Sequence, residues 1–226
     1  CVVICVSADD DLREVVASMR AHLRRGSLVI DCSTVAASTA REIAAILASQ
    51  EVDFLDCPVS GGVEGARLGT LAIMCGGPET AFSRAQPILQ AMGKTIRHFG
   101  ESGAGQSVKA TNQILCAGII RTVAEAMAFA KAEQLPLEPV IETLGQGAGS
   151  SWYFVNRAPW MAKDSFTGGF KVRLHAKDLR ICREMAAAHG VALPVIEDTL
   201  RDYQELIEQG HGDDDISAIF RLKRFS

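Results

Sequence analysis

What most limits how this sequence can fold is the stretch Ser107 to Gln134, which holds no proline and one interior glycine, Gly118. About 28 residues can run here as one helix, roughly 42 Å long at about 1.5 Å per residue. A glycine-rich turn, Gly100-Glu-Ser-Gly103-Ala-Gly105, opens it. Lys109, Asn112, Gln113 and Cys116 follow at helical spacing, which puts one amine and two amides on one face. Read locally, that face is either a solvated first helical turn or a polar site at a domain junction.

Ahead of the rod, apolar runs alternate with helical ones. The strand-like runs are Cys1–Val6, Ser27–Cys32, Val52–Cys57, Thr70–Cys75 and Lys94–Phe99. Between them, Ser7-Ala-Asp-Asp-Asp11 offers caps for a helix to about Arg24, and Ser38–Gln50 and Pro78–Met92 read as two more helices. This alternation predicts an α/β layer on a largely parallel sheet. Ligands bind such sheets beyond the carboxyl ends of the strands, so Ser7, Ser33-Thr34 and Pro58-Val-Ser60-Gly61-Gly62 are the segments to watch. After the rod, helices are expected over Glu138–Leu144, Ser151–Ala162, Lys171–His189, Pro194–Gln209 and Asp215–Arg224, making residues 137–226 all-α.

Composition narrows the function. With 48% hydrophobic and 22% charged residues, 226 residues can bury one large or two modest cores, and a net charge of −4 offers no basic field for nucleic acid or an anionic membrane. The short basic segment Arg221–Arg224 reads as a helix end. No apolar run is expected to cross a membrane. Seven cysteines without a CxxC predict a reducing compartment and thiols used as small core hydrophobes. The five histidines lie at no ligand spacing, so no metal is assigned.

The phosphate-binding pattern G-x-G-x-x-G is absent in the right context: Gly145-Gln-Gly-Ala-Gly149 follows a helix. Gly61-Gly62, Gly65 and Gly69 are expected to lack a directly following helix. Trp152, Tyr153, Phe154 and Trp160 read as core or subunit-contact aromatics, and Asp213-Asp-Asp215 as a helix cap.

Asp56-Cys-Pro-Val-Ser-Gly-Gly62 is, on local chemistry, either a turn after a buried strand or a site. Together with Asp31-Cys-Ser-Thr34, Gly103-Ala-Gly-Gln-Ser-Val-Lys109-x-x-Asn112-Gln113 and Leu174-His-Ala-Lys177-Asp178-Leu179, in that order, it resembles the β-hydroxyacid dehydrogenase family over essentially the whole chain. That family includes 3-hydroxyisobutyrate dehydrogenase, tartronate semialdehyde reductase and, more distantly, 6-phosphogluconate dehydrogenase. The resemblance implies part of an α/β Rossmann-type domain over residues 1–104, then a long interdomain helix and an all-α substrate and oligomerisation domain over 105–226. By the family pattern the dinucleotide fingerprint lies about two βα units ahead of Cys1, and the residue that chooses between NAD and NADP lies there too.

Residue by residue, the resemblance assigns proton transfer to Lys109. Ser60, Gly61 and Gly62 match a cradle for the substrate carboxylate, and Asn112, Gln113, Phe170 and Asp178 match substrate-pocket positions. Ser7, Thr34 and Lys177 match cofactor contacts. An ordinary lysine titrates near about 10.4, too high for the base role, so burial and the positive nicotinamide ring are expected to lower it. Asn112-Gln113 departs from the Asn-Asn of many members and matches the tartronate semialdehyde reductase type. The expected activity is hydride transfer between NAD or NADP and a short β-hydroxyacid or its semialdehyde, in a cytoplasmic homodimer or homotetramer. Two other readings stand beside it: an imine reductase, which would replace Lys109 by a poorer base, and a non-catalytic cofactor-binding or scaffold homologue.

Overall fold

Three short runs pair into one sheet, the central one, Leu28–Asp31, buried along its whole length. In the computed structural model, which describes residues 1–223, β1 (Val2–Ile4), β2 (Leu28–Asp31) and β3 (Asp53–Asp56) form a parallel sheet in that order. Its register sets Ile4, Asp31 and Asp56 in one row at the carboxyl edge. A second sheet holds β4 (Val59–Ser60), β5 (Leu71–Cys75) and β6 (Gly93–His98). There β5 and β6 run parallel and β4 pairs antiparallel with β5, an exception within the largely parallel order the sequence suggests. The chain runs straight on from β3 through Pro58 into β4 and reverses only after Ser60, at Gly61-Gly62 and α3 (Gly62–Leu68), so β5 returns antiparallel beside it. A bridge between Asp56 and Gly76 joins the two sheets.

Helices α1 (Asp9–Met19), α2 (Ala37–Ala48), α3 (Gly62–Leu68) and α4 (Glu79–Met92) complete this part. Two expectations are corrected. The first is α1, which stops at Met19 and tightens into a 3-10 turn over Arg20–His22, short of Arg24. Its acidic start does not cap α1 with a side chain; Asp9 instead accepts from Ala36 N–H at 2.9 Å and Thr39 Oγ1 at 2.7 Å, so it caps the neighbouring α2. The second is α3, which follows Gly61-Gly62 at once, where no helix was expected. Left-handed backbone at Gly61 (φ 129°) and Gly62 (φ 64°) makes that sharp entry possible.

The chain divides into two compact units, Cys1–Asn112 and Gln113–Ser226. Within the first, Leu28, Ile30, Leu55, Ile73 and Leu89 build one core and Leu12, Ile43, Leu47 and Phe54 another. The rod is α5 (Ala104–Ala132), 29 residues, beginning three residues earlier than the sequence predicts. By length and composition α5 is long and apolar enough to cross a membrane, contrary to expectation. Its Ala117, Ile120, Val123, Ala124 and Met127 are nevertheless buried in a protein core with Phe154, Leu179, Tyr203 and Leu206.

The second unit adds α6 (Leu137–Leu144), α7 (Trp152–Ala162), α8 (Val172–Ala187) and α9 (Pro194–Glu208). Its last element is a 3-10 helix, Ile216–Leu222, and not an α-helix from Asp215 to Arg224; Arg224 lies outside the described residues. Ile216 to Phe220 are five consecutive buried residues, a pattern no single α-helical face can hide. Asp215 starts it as expected, accepting from Ser217 N–H at 3.0 Å. The cysteines divide: Cys32, Cys57, Cys75 and Cys182 are buried, whereas Cys1 and Cys5 are exposed.

Glycines bring the start of α5 against the strand ends. A Cβ on Gly105 would lie 2.4 Å from the Met74 carbonyl oxygen and 2.5 Å from that of Asp56. Substituting Gly105→Ala is expected to destabilise the protein by about 1–3 kcal/mol or more, read as a lower urea midpoint; an unchanged midpoint would mean the contact relaxes freely.

Asp31, in the same edge row, is fully buried; its Oδ1 accepts from Ser33 N–H at 3.0 Å, and its Oδ2 has no hydrogen-bond partner among the described residues. Burial pushes its carboxyl up to about 6, against the pull of its bonds to Ser33. The native state therefore holds a proton that the unfolded chain releases near pH 4, so this group's stabilisation is full at low pH and is lost as pH rises through about 6. Relative to wild type, Asp31→Asn should gain about 1–3 kcal/mol between pH 4 and pH 7. Urea unfolding at the two pH values measures it, and a pH-independent difference would contradict the assignment.

Candidate active site

The first unit collects its polar groups at the carboxyl edge of the parallel sheet. Ser7 lies exposed in the bend after β1, and Thr34 half-buried in the loop between β2 and α2. Asp56 ends β3 and is fully buried. Its Oδ1 accepts from Gly103 N–H at 2.7 Å and its Oδ2 from Gln106 N–H at 2.9 Å, so the carboxylate closes the open end of α5. The first N–H groups of a helix have no partner within it and carry the positive end of its dipole, which is why an anion belongs there. Burial pushes the Asp56 carboxyl up, while the N–H groups of Gly103, Gln106 and Gly105 hold it back.

Gln106 extends the clamp. Its Nε2 donates to the Ser33 carbonyl at 2.8 Å and its Oε1 accepts from Val35 N–H at 3.2 Å, so one side chain grips the loop on both sides of Thr34. Lys109 comes one turn of α5 later. It is buried, 7% exposed, and its Nζ donates to the Val59 carbonyl at 2.9 Å. That contact sets the amine beside Ser60, Gly61 and Gly62, where β4 gives way to α3. The Gly61 Cα faces Leu71; a Cβ there would sit 3.2 Å from Leu71 Cδ2 on a backbone only glycine adopts easily. Asn112, half-buried, is the last residue of this unit.

In the second unit, Gln113, Phe170, Lys177 and Asp178 are drawn together. Buried Gln113 donates through Nε2 to Asp178 Oδ2 at 2.7 Å, and Lys177 Nζ forms an ion pair with Asp178 Oδ1 at 2.7 Å. Gln113 by a hydrogen bond and Lys177 by an ion pair, two of the three other candidate residues, thus meet the two oxygens of Asp178. His175, fully buried, lies 3.0 Å through Nδ1 from the Tyr203 hydroxyl and 3.4 Å through Nε2 from the Gln113 carbonyl, and its ring tilts against Phe170 at 5.2 Å. Phe170 N–H donates to Asp215 Oδ2 at 2.8 Å. Asp215 is held by Arg157, whose guanidinium stacks between Trp152 and Trp160 at 4.9 and 4.1 Å.

Sequence reasoning missed the supports. Asp56 and Gln106 lie inside quoted motifs, and their signal is an acidic residue ending a buried strand and an amide in the first turn of the longest helix. His175 was read only as one of five histidines without ligand spacing, and Asp215 only as a cap. Among the described residues no three His, Cys, Asp or Glu side chains gather to hold a metal ion.

Comparison with known proteins agrees with this architecture. Residues 1–100 match the model of the NAD binding domain of 6-phosphogluconate dehydrogenase, and residues 103–223 that of the NAD-binding domain of NADP-dependent 3-hydroxyisobutyrate dehydrogenase. The chain is 37% identical to the NAD-dependent L-serine dehydrogenase of Pseudomonas aeruginosa, covering 95% of this chain and 72% of that protein. A 3-hydroxyisobutyrate dehydrogenase of Salmonella typhimurium superposes with a TM-score of 0.89 at 33% identity, over 97% of this chain and 78% of that one. The 3-hydroxyisobutyrate dehydrogenase of Mycobacterium tuberculosis, solved with L-serine, does so with a TM-score of 0.88 at 31% identity, over 99% and 79%. With a Rossmann-type sheet edge, a clamped long helix and an all-α unit matched from end to end, the chain belongs to the β-hydroxyacid dehydrogenases, NAD(P)-dependent oxidoreductases.

Proposed function

We propose that Lys109 is the proton-transfer group of this oxidoreductase and that its substrate is a three- or four-carbon carboxylate with a β-hydroxyl, such as L-serine or 3-hydroxyisobutyrate. The observation that carries the reading is the buried Lys109 amine bonded to the Val59 carbonyl, next to the exposed glycines of the β4–α3 junction. A carboxylate fits that junction because Gly61 and Gly62 add no side chains and Ser60 adds a hydroxyl. The names of the relatives support the substrate class.

The residues also suit the cofactor. Ser7 and Thr34 are short hydroxylic side chains at the sheet edge where a dinucleotide lies in such folds, and Gln106 holds the Thr34 loop in shape. When bound, the nicotinamide accepts or supplies the hydride. Lys109, as the neutral amine, takes the proton from the substrate hydroxyl; as the ammonium it returns that proton in reduction. Val59 keeps the amine pointed along one direction through the exchange. Ser60, Gly61 and Gly62 hold the carboxylate, while Asn112 and Gln113, one turn further along α5, orient the reacting oxygen. The family resemblance gives Lys177 a cofactor role and Phe170 a substrate-pocket role, and within the second unit Asp178 steadies Gln113 and Lys177 together.

We also propose a homodimer or homotetramer in the cytoplasm. Exposed Leu115 and Phe129 on α5 and Trp152 and Val155 on α7 support self-association, and seven free cysteines support a reducing compartment.

Nicotinamide absorbance with both coenzymes and a panel including L-serine, 3-hydroxyisobutyrate and L-threonate tests the proposal. Wild type should turn over at least one β-hydroxyacid. Lys109→Ala should lower kcat by about 10²- to 10⁴-fold with coenzyme binding kept. Turnover that survives the substitution would move the acid/base elsewhere.

A further inference from the structure

Four of the seven cysteines stand in one row across the strands. Parallel pairing sets Ile4, Asp31 and Asp56 side by side, and the hydrogen bonds Cys32 N–H to Ile4 carbonyl (2.8 Å) and Cys57 N–H to Asp31 carbonyl (2.6 Å) carry it one residue further. Cys5, Cys32 and Cys57 therefore share the next rung. On the other side of β3 the pairing is antiparallel: Asp56 and Gly76 exchange both backbone hydrogen bonds, at 3.1 and 2.8 Å, and Met74 N–H donates to the Pro58 carbonyl at 3.0 Å. Cys57 and Cys75 face each other between those two bonded pairs.

That position is a non-hydrogen-bonded antiparallel pair, whose Cα atoms lie about 4.5 Å apart with side chains on the same face. A disulfide spans Cα separations of about 4.4–6.8 Å, so the backbone already meets its requirement. The two thiols are close enough to hydrogen-bond one another, and both are fully buried. No three of the four gather on a metal ion among the described residues.

We propose that Cys57 and Cys75 are a site of reversible oxidation, closing to a cross-strand disulfide when the protein meets a small hydroperoxide. One sulfur of the pair, as thiolate, attacks an oxygen of hydrogen peroxide; the O–O bond breaks, a sulfenic acid forms, and the departing hydroxide takes the thiol's proton to leave as water. The second sulfur attacks the sulfenic sulfur, the S–O bond breaks, and a second water leaves with the remaining proton. Two thiols lose two electrons and one peroxide gains them. The hydrogen bond with Cys75, with burial, raises the Cys57 thiol, and burial pushes Cys32 up to about 12, so reaction proceeds through brief openings of the strand pair and favours an oxidant as small and uncharged as a hydroperoxide. The new bond would tie the ends of the segment that carries Val59, Ser60, Gly61 and Gly62.

The test treats the native full chain with hydrogen peroxide, blocks remaining thiols in denaturant and maps peptides by mass spectrometry. The expected result is two fewer free thiols out of seven, a crosslinked peptide joining Cys57 to Cys75, and recovery of both thiols with dithiothreitol. Cys75→Val should abolish the crosslink and Cys5→Ser should leave it; if Cys75→Val does not fold, Cys57→Ala carries the same test. Sulfinic or sulfonic acid at Cys5 without the Cys57–Cys75 peptide, or a crosslink that forms only in denaturant, would overturn the proposal.

Discussion

The carboxylate of Asp56 stands where a buried strand ends and the longest helix begins, and most of the first unit is arranged about it. Its two oxygens take the N–H groups of Gly103 and Gln106, and its backbone bridges to Gly76 in the second sheet. A buried carboxylate without partners would cost several kcal/mol, whereas here the open end of a 29-residue helix supplies donors and a favourable dipole. Three neighbouring glycines make the approach possible: a Cβ on Gly76 would lie 2.7 Å from Asp56 Oδ1, one on Gly105 would meet the strand carbonyls, and one on Gly103 would sit 2.9 Å from the Ala37 carbonyl. The rotation of α5 is thereby fixed. Gln106 then meets the Thr34 loop and Lys109 meets Val59, one turn apart on the same helix.

The second unit solves a similar problem with different groups. Asp215 starts the last 3-10 helix, takes the Phe170 N–H and is paired with an Arg157 stacked between two indoles. Gly169 leaves room for it, since a Cβ there would be 2.0 Å from Asp215 Oδ2. His175 joins Tyr203, the Gln113 backbone and the Phe170 ring, while Asp178 joins Gln113 to Lys177. In both units a buried acid, fully partnered, positions the residues to which the family resemblance gives substrate and cofactor roles. Truncating such a support leaves a buried group without its partner, so these acids resist substitution for structural reasons as well.

Much of this was legible in the sequence because the signals were periodic or chemically specific. Short runs ending in turn residues placed five of the six strands to within two residues, and the rod was visible from a stretch without proline and with one interior glycine. What sequence could not show were pairings that depend on direction and distance. The two-residue strand Val59–Ser60 is too short to leave a pattern, and it is antiparallel because β5 returns beside it after the turn at Gly61-Gly62. Asp9 reads as a cap for its own helix yet serves its neighbour, a matter of which N–H lies closer. Ile216 to Phe220 pass for an α-helix until burial on every side shows why the chain tightens. Asp178 matches a substrate-pocket position by resemblance alone, and its contacts with Gln113 and Lys177 are a matter of distance that sequence could not show.

Asp56 fixes the helix that carries Lys109, and Asp56→Asn tests that link directly. Amide hydrogen exchange at Gly103 and Gln106 would be measured beside kcat and the KM for substrate. The account predicts faster exchange at both amides together with a lower kcat and a nearly unchanged KM, because the amine drifts while the carboxylate cradle stays. Faster exchange with an undiminished kcat would show that Lys109 keeps its place without the clamp and would contradict the account.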